Sequence, residues 1–318
     1  MNKTNCILVF LLIISVIMSI FIGSVNFREV SNMQAFSIML DVRLPRALMA
    51  ILVGAALAMS GAVFQIILKN PMADSFTLGM ANGAVLGAAI TVVTIIPAVF
   101  APVLSIFLGL LSLLFVLIIA RKLDLTYRPE TLIITGILLG AMLSGVLYII
   151  ILLFPEDTAN IARYMFGSLG GADFTRVSVL LILTAVSFII LERYGYVLDL
   201  LKLGDIRAHA LGVNVSVIRP LLLVTAAVPP LVAISYTGII ALVGIIIPQI
   251  ILYIRPMNFR PLLKRSILIG GLYVLIIDTL GRTLIAPLQI PTGVMVMLSA
   301  VPLFIFLLYK RTLVIGHQ

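Results

Sequence analysis

The chain has 318 residues, of which 62% are hydrophobic and only 10% are charged, and its formal net charge is +9. About a quarter of the residues in a soluble domain are charged, so this composition excludes a water-soluble fold. One crossing of a bilayer core takes about 20 apolar residues. We therefore predict an all-α polytopic membrane protein, with its function in the loops and in the few polar residues at membrane depth.

Ten apolar stretches are predicted to span the membrane as helices, because a backbone inside lipid must satisfy its own hydrogen bonds. The seventh and eighth share one uncharged run, in which Pro229-Pro230 should bend the chain and Tyr236-Thr237-Gly238 should turn it. In chain order the spans are Ile7–Gly23, Ala47–Leu68, Leu78–Phe100, Val103–Ala120, Thr131–Phe154, Val177–Leu191, Pro220–Tyr236, Ile239–Ile254, Ser266–Gly281 and Thr292–Tyr309. The first lacks a small-x-small cleavage site, so we interpret it as a retained helix. No segment between spans is long enough for a soluble domain, so residues 1–318 should form one transmembrane domain.

Basic residues are distributed unequally over the two faces that ten spans define. With the N-terminus inside, most of the 21 Lys and Arg residues fall on inner segments; the outer ones are Arg28, Arg43, Arg46, Arg163, Arg176 and Arg282. Cytoplasmic segments of membrane proteins carry such an excess. Both termini are therefore predicted to be cytoplasmic, and the positive charge does not indicate a nucleic-acid partner.

Residues for catalysis or metal binding are sparse. Cys6 is the single cysteine, and His209 and His317 are far apart without ligand-spaced neighbours. A disulfide within the chain and a thiolate metal cluster are excluded, and no Ser/His/Asp set, paired carboxylates in a cleft or P-loop motif can be assembled. The chain is predicted to bind or move a substrate, without a metal or cofactor of its own.

The inner loop between spans six and seven, about Glu192–Arg219, is predicted to contain a short surface helix. Asp205 can cap its N-terminus and Gly212 can close its C-terminus in a left-handed conformation. The helix is either a connector packed on its own bundle or a docking element for a cytoplasmic partner.

Several motifs together resemble the FecCD/BtuC-type permeases, the membrane subunits of ABC importers for ferric siderophores, haem and vitamin B12. The resemblance runs from about residue 40 to 310. It rests on Arg43-Leu44-Pro45-Arg46, Gly54-Ala55-Ala56-Leu57-Ala58-x-Ser60-Gly61 with Gln65, Asn70-Pro71-Met72-Ala73, Leu78-Gly79-x-x-x-Gly83-Ala84, Gly204-Asp205-x-x-Ala208-x-x-Leu211-Gly212-Val213, Gly238-Ile239-Ile240-x-x-Val243-Gly244-x-x-x-Pro248, Arg260-x-Leu262-Leu263, Asp278-Thr279-x-x-Arg282, Ile290-Pro291-Thr292-Gly293 and Pro302-Leu303-Phe304. Three positions depart from the family pattern: Gln249 replaces the usual His, Gln289 the usual Glu and Ser299 the usual Gly. The two glutamines lose ionisable groups but keep hydrogen-bonding capacity.

The resemblance implies a BtuC-like type II ABC importer permease fold in the bacterial cytoplasmic membrane. It also implies a second permease subunit, identical or a sister chain, an external substrate-binding protein and a cytoplasmic ATPase dimer that binds ATP and Mg²⁺. The implied cargo is a ferric siderophore, with haem or cobalamin as alternatives.

The family's functional sites map onto four groups of residues. The resemblance implies an ATPase-coupling loop at Gly204, Asp205, Ala208, Leu211 and Gly212. It implies a cytoplasmic gate at Asn70, Pro71 and Met72, which otherwise read as a helix stop, with a companion gate near Pro129-Glu130. It implies a translocation surface at Gly140, Ser144 and Gly145. Finally, it implies binding-protein docking at Arg43, Arg46 and Arg282, whose alternative role is snorkelling at the membrane interface.

Two further patterns concern packing. Gly79-x3-Gly83-x3-Gly87 in span three places small residues at helical spacing, which favours close packing within the chain. Asp278 is a carboxylate inside a span, and we favour pairing with Arg282 four residues later.

An ion-driven secondary transporter is the rival class, but it would carry more such groups at mid-depth. An intramembrane enzyme lacks a plausible catalytic set.

Overall fold

The computed structural model describes residues 3–23 and 32–315, and the all-helical prediction is confirmed in this part of the chain. Arg28 and His317 lie outside the described residues. A π-helical segment, Ile38–Arg43, leads into α3, and short 3₁₀ turns at Ala98–Phe100 and Pro155–Asp157 precede α5 and α7. The α-helices are α1 (Lys3–Phe21), α2 (Asn32–Ser37), α3 (Leu44–Ile67), α4 (Met80–Val93), α5 (Ala101–Leu123), α6 (Pro129–Leu153), α7 (Thr158–Phe166), α8 (Phe174–Arg193), α9 (Gly195–Lys202), α10 (Asp205–Ala210), α11 (Val215–Thr237), α12 (Val243–Ile254), α13 (Phe259–Thr283) and α14 (Thr292–Ile315).

Ten of these helices correspond to the ten predicted spans: α1, α3, α4, α5, α6, α8, α11, α12, α13 and α14. Within the described residues, five helical stretches are long and apolar enough to cross a membrane, and shorter apolar helices occur in α1, α4, α12 and α14. The predicted turn between spans seven and eight is present, with Gly238 at φ +72°. Helix α11 continues through Pro220, Pro229 and Pro230.

Two predicted spans are longer than the helices that the structure contains. The third, predicted as Leu78–Phe100, is the 14-residue α4, and the eighth, predicted as Ile239–Ile254, is the 12-residue α12. The third span is shorter mainly at its end, where residues 94–100 form an exposed bend and a 3₁₀ turn. The eighth is shorter at its start, where irregular backbone with positive φ at Leu242 precedes α12. Much of that backbone is buried, which is how irregular backbone is tolerated at membrane depth. Hydropathy alone does not distinguish such a segment from a helix, so these predicted boundaries were wrong.

Helix α3 is the centre of the bundle and is buried along most of its length. Its small residues allow two other helices to approach backbone to backbone. A Cβ on Gly54 would collide with the carbonyl group of Gly270 in α13, and one on Gly61 with that of Gly244 in α12. Such small-residue contacts are the usual way for helices to pack closely in lipid.

The small residues of span three pack within the chain, as predicted. A Cβ on Gly83 would meet the Ser112 side chain of α5, and one on Gly87 would meet the backbone of Leu104 and Ser105. The α4–α5 pair is completed by a hydrogen bond of 2.7 Å from the Ser105 hydroxyl to the Ala84 carbonyl.

Candidate functional site

Several loops meet at one end of the bundle, which we call the α10 end. Lys69 just after α3 pairs with Asp205 at the start of α10, and Arg219 in α11 binds the segment between α5 and α6. At the same end Lys264 in α13 pairs with Glu192 in α8 at 2.6 Å. Lys69, Arg219 and Lys264 are among the basic residues that the sequence assigned to the inner face.

Helix α10 closes with the C-terminal geometry that the sequence predicted. Gly212 has φ +87°, its N–H donates to the His209 carbonyl at 2.9 Å, and the Val213 N–H donates to the Ala208 carbonyl at 3.0 Å. These two bonds form a Schellman motif, which a glycine at this position favours because no Cβ opposes positive φ. Ala208 is fully buried and faces the bundle.

The prediction that Asp205 caps α10 was wrong. Asp205 is the first helical residue, Gly204 takes the cap position at φ +104°, and no side-chain cap bond is made there. Asp205 Oδ1 instead accepts hydrogen bonds from Arg219 Nη2 at 2.7 Å and from Lys69 Nζ at 2.9 Å. Burial raises the pKa of Asp205, but the hydrogen bonds and charges of Arg219 and Lys69 outweigh it, so the pKa lies below its ordinary value.

The surface of α10 that faces away from the bundle combines exposed apolar side chains with the exposed polar side chains of Arg207 and His209. Ile206 is 88% exposed and Leu211 is 59% exposed, and Leu203 just before the helix is also exposed. Exposed apolar groups rimmed by polar residues are typical of a protein-docking surface.

The segment Asn70-Pro71-Met72 lies next to α10. The Asn70 side chain accepts a hydrogen bond of 2.9 Å from the Met72 N–H and so fixes a tight turn. Pro71 and Met72 are exposed. The turn ends α3 as the sequence predicted, and a gating role for it stays a prediction.

The three predicted pathway residues of α6 do not share one environment. Gly140 is buried, and its carbonyl accepts a hydrogen bond of 3.0 Å from Asn82 in α4. Ser144 and Gly145 are exposed, and a Cβ on Gly145 would meet nothing within 4 Å among the described residues. The exposed face of α6 thus contains Ser144 and Gly145, whereas Gly140 joins two helices.

At the opposite end of the bundle, a buried polar cluster surrounds Asp278 of α13; we call this the Asp278 end. Arg46 binds the carboxylate with two hydrogen bonds, Nε to Oδ2 and Nη2 to Oδ1, each 2.9 Å long. The Thr292 hydroxyl donates to Oδ1 at 2.7 Å, and Arg282 Nε lies 3.5 Å from Oδ2. The predicted pairing of Asp278 with Arg282 is confirmed, but the shorter contact is with Arg46.

The predicted docking arginines are not exposed. Arg43, Arg46 and Arg282 are 4%, 7% and 3% accessible. Arg43 donates to the carbonyls of Ile20 and Phe21, and Arg282 donates to the Ser19 carbonyl, so both cap the C-terminus of α1. Positive charge at this position also complements the helix dipole. Their burial corrects the expectation of a charged rim, because helix packing uses these charges within the chain.

The residues that depart from the family pattern are all hydrogen-bonded. Gln249 donates to Gln65 Oε1 at 2.7 Å, and Gln65 donates to the Gly244 and Ile245 carbonyls at the start of α12. Gln289 accepts from Arg46 at 2.7 Å, and the hydroxyl oxygens of Ser299 and Tyr273 are 2.7 Å apart. Gln249 therefore connects α12 to α3, and Gln289 connects the α13–α14 loop to α3.

Comparisons with known proteins agree with this architecture. The model of the FecCD transport family matches residues 11–310. The Escherichia coli K12 protein "Fe(3+) dicitrate transport system permease protein FecD" is 31% identical over 86% of each chain. The Staphylococcus aureus "Probable heme-iron transport system permease protein IsdF" is 31% identical over 87% of this chain and 84% of its own.

A solved structure described as "An inward-facing conformation of a putative metal-chelate type ABC transporter" superposes with a TM-score of 0.87 at 27% identity. The match covers 97% of this chain and 99% of the other. A family match over most of the length, two relatives above 30% identity and this fold lead to one conclusion: the chain is a multi-pass membrane protein that belongs to the FecCD transport family.

Proposed function

We propose that this chain is the permease subunit of an ABC importer that carries a ferric siderophore across the cytoplasmic membrane. The named relatives support an iron-chelate cargo. Haem is the second candidate, because the IsdF relative carries that name. In this proposal, ATP and Mg²⁺ bind to a separate ATPase dimer, and an external binding protein delivers the cargo.

The observation that carries the proposal is the two-sided character of α10. Its buried side is held by Ala208 and by the ion pairs of Asp205, whereas its outer side presents Ile206 and Leu211 to solvent. A connector packed on its own bundle would bury these side chains. A helix that is anchored on one side and exposes large apolar side chains on the other suits docking in a cleft on a cytoplasmic ATPase. In this proposal the α10 end and both termini are cytoplasmic.

The exposed face of α6 is the proposed contact with the second permease subunit. This helix is the least buried of the five long apolar stretches in the described residues. Ser144 and Gly145 lie on that face, so two copies would place small and weakly polar groups along a shared path. Such a lining suits a bulky cargo that must not bind tightly in transit.

The docking role of α10 is tested by a charge at its most exposed apolar position. Ile206→Glu should abolish co-purification of the ATPase, because a carboxylate would have to be desolvated in an apolar cleft. Leu123→Glu is the matched control, because Leu123 is 70% exposed but lies at the end of α5. Wild-type retention of the ATPase by Ile206→Glu would refute the docking assignment.

A further inference from the structure

Arg219 is a buried cation that joins three separate segments of the chain. It is 0% exposed and lies in the first turns of α11. Its Nη1 donates to the carbonyls of Thr126 and Tyr127 at 2.8 and 2.9 Å, and its Nη2 donates to Asp205 at 2.7 Å. A planar guanidinium with five donors can hold such groups at once, whereas a lysine cannot.

A second cation extends this cluster to the α3–α4 turn. Lys69 Nζ lies 2.9 Å from the same carboxylate oxygen, Oδ1 of Asp205, that Arg219 binds. Lys69 immediately precedes Asn70-Pro71-Met72, and Tyr127 precedes α6, which begins at Pro129. The first residue of α10 is therefore connected directly to one loop and, through Arg219, to the other.

The backbone at both attachment points is held in an unfavourable conformation. Lys69 has φ +49° and Tyr127 has φ +53°, and they are two of the three non-glycine residues with positive φ in the described part of the chain. A Cβ disfavours this region, so such residues persist only where their surroundings fix them, and they concentrate at functional and switching segments. Two contacts can fix these backbone conformations: the ion pair of Lys69 with Asp205, and the hydrogen bond from Arg219 to the Tyr127 carbonyl.

We propose that Arg219, with Lys69, is the positioning residue that transmits movement of α10 to the α3–α4 turn and to the start of α6. The inference rests on the proposed docking of an ATPase to α10 and adds the route by which that docking reaches the pathway. A shift of α10 displaces Asp205. Because Asp205 is bonded to Lys69 and Arg219, and Arg219 to the segment before α6, either the α3–α4 turn and that segment follow or these bonds break. The turn at Asn70 and the face of α6 that carries Ser144 then move together.

A purely structural role for Arg219 makes a different prediction from a transmitting role. If the cluster only maintains the shape of α10, its loss should weaken ATPase association as Ile206→Glu does. If it transmits movement, association should survive and the amount of cargo transported per ATP hydrolysed should fall. The experiment therefore measures ATPase co-purification, ATP hydrolysis and iron uptake on the complete complex in proteoliposomes, with ferric citrate and ferrichrome as probe cargoes.

The test compares Arg219→Met and Lys69→Met with Lys202→Met. Methionine preserves the apolar stem but provides no donor. The control removes a pair of similar length, Lys202–Asp199 at 2.8 Å, which lies within α9 and reaches neither loop. We expect uptake per ATP to fall about tenfold in Arg219→Met, within the usual range of coupling between sites, less in Lys69→Met and not at all in Lys202→Met.

Two results would overturn the inference. One is unchanged uptake per ATP in both Arg219→Met and Lys69→Met, and the other is loss of ATPase association in Arg219→Met. If Arg219→Met does not fold, Lys69→Met decides, because its side chain is 40% exposed and its replacement leaves the interior intact. Failure of the proposed function is recognised separately, since Ile206→Glu would then retain the ATPase.

Discussion

Removing the carboxylate of Asp278 should destabilise the protein more than removing either of the arginines around it. Asp278 is 1% exposed and is the counter-charge for both Arg46 and Arg282. Asp278→Ala leaves two buried guanidinium groups without a neutralising partner. Arg46→Met leaves the carboxylate with Arg282 and with the Thr292 hydroxyl.

The contacts set the expected magnitudes. Breaking a buried ion pair from one side costs about 3–5 kcal/mol, because an uncompensated charge stays behind, and we assign that range to Asp278→Ala. Arg46→Met removes two charge-assisted bonds of 2.9 Å but leaves Asp278 partly satisfied, so about 1–3 kcal/mol is expected. Lys264→Met breaks a half-exposed pair with Glu192 and should cost less than about 1 kcal/mol.

Denaturant titration of the purified permease in a single detergent measures all three variants on one scale. The predicted order of destabilisation is Asp278→Ala, then Arg46→Met, then Lys264→Met. Two results would contradict this order: Asp278→Ala as stable as the wild type, or Arg46→Met as the more destabilising substitution. Either result would mean that the carboxylate is not the centre of the cluster.

Three further predictions concern single contacts. Gly61→Ala should lower the midpoint of thermal unfolding, because its Cβ would collide with the Gly244 carbonyl, whereas Gly145→Ala should leave it unchanged; equal midpoints would contradict the close approach of α3 and α12. Gln249→Leu should cost about 1–3 kcal/mol in denaturant titration, because it leaves Gln65 without its donor, and Gln249→His should restore most of that loss; a neutral Gln249→Leu would show that this bond is dispensable. The stability difference between the chain and its Asp205→Asn variant should stay constant from about pH 7 to 5. Because the folded pKa of Asp205 is lowered by Arg219 and Lys69, its contribution is present above about pH 3.9 and is lost as the pH falls through that lowered value; a loss already at pH 6 would contradict the assignment.

The sequence predicted the structural features that are set by residues close together in the chain. The positions of the ten apolar helices follow from apolar runs, the end of α10 from Gly212, and the close packing of α4 within the chain from glycines at helical spacing. Each of these signals lies within a few turns of the feature that it predicts. The motifs around Asp205 also placed the candidate docking helix correctly in the chain.

Contacts between distant parts of the chain could not be predicted in this way. Arg46 and Asp278 are 232 residues apart, and Gln65 and Gln249 are 184 apart. Without these partners, the arginines at the Asp278 end resembled exposed interface residues and Asp205 resembled a helix cap. Arg219 was missed for the same reason, although a charge at the start of a long apolar run was a usable signal.

In the proposed function, ATP hydrolysis by a bound ATPase drives uptake through this chain. The most direct measurement is ⁵⁵Fe-siderophore uptake into proteoliposomes that contain the permease, its ATPase and its binding protein, with ATP either present or replaced by a non-hydrolysable analogue, and with ionophores added. We expect uptake that requires hydrolysable ATP and persists when the ionophores collapse proton and sodium gradients. Uptake that a proton or sodium gradient drives without ATP would contradict it.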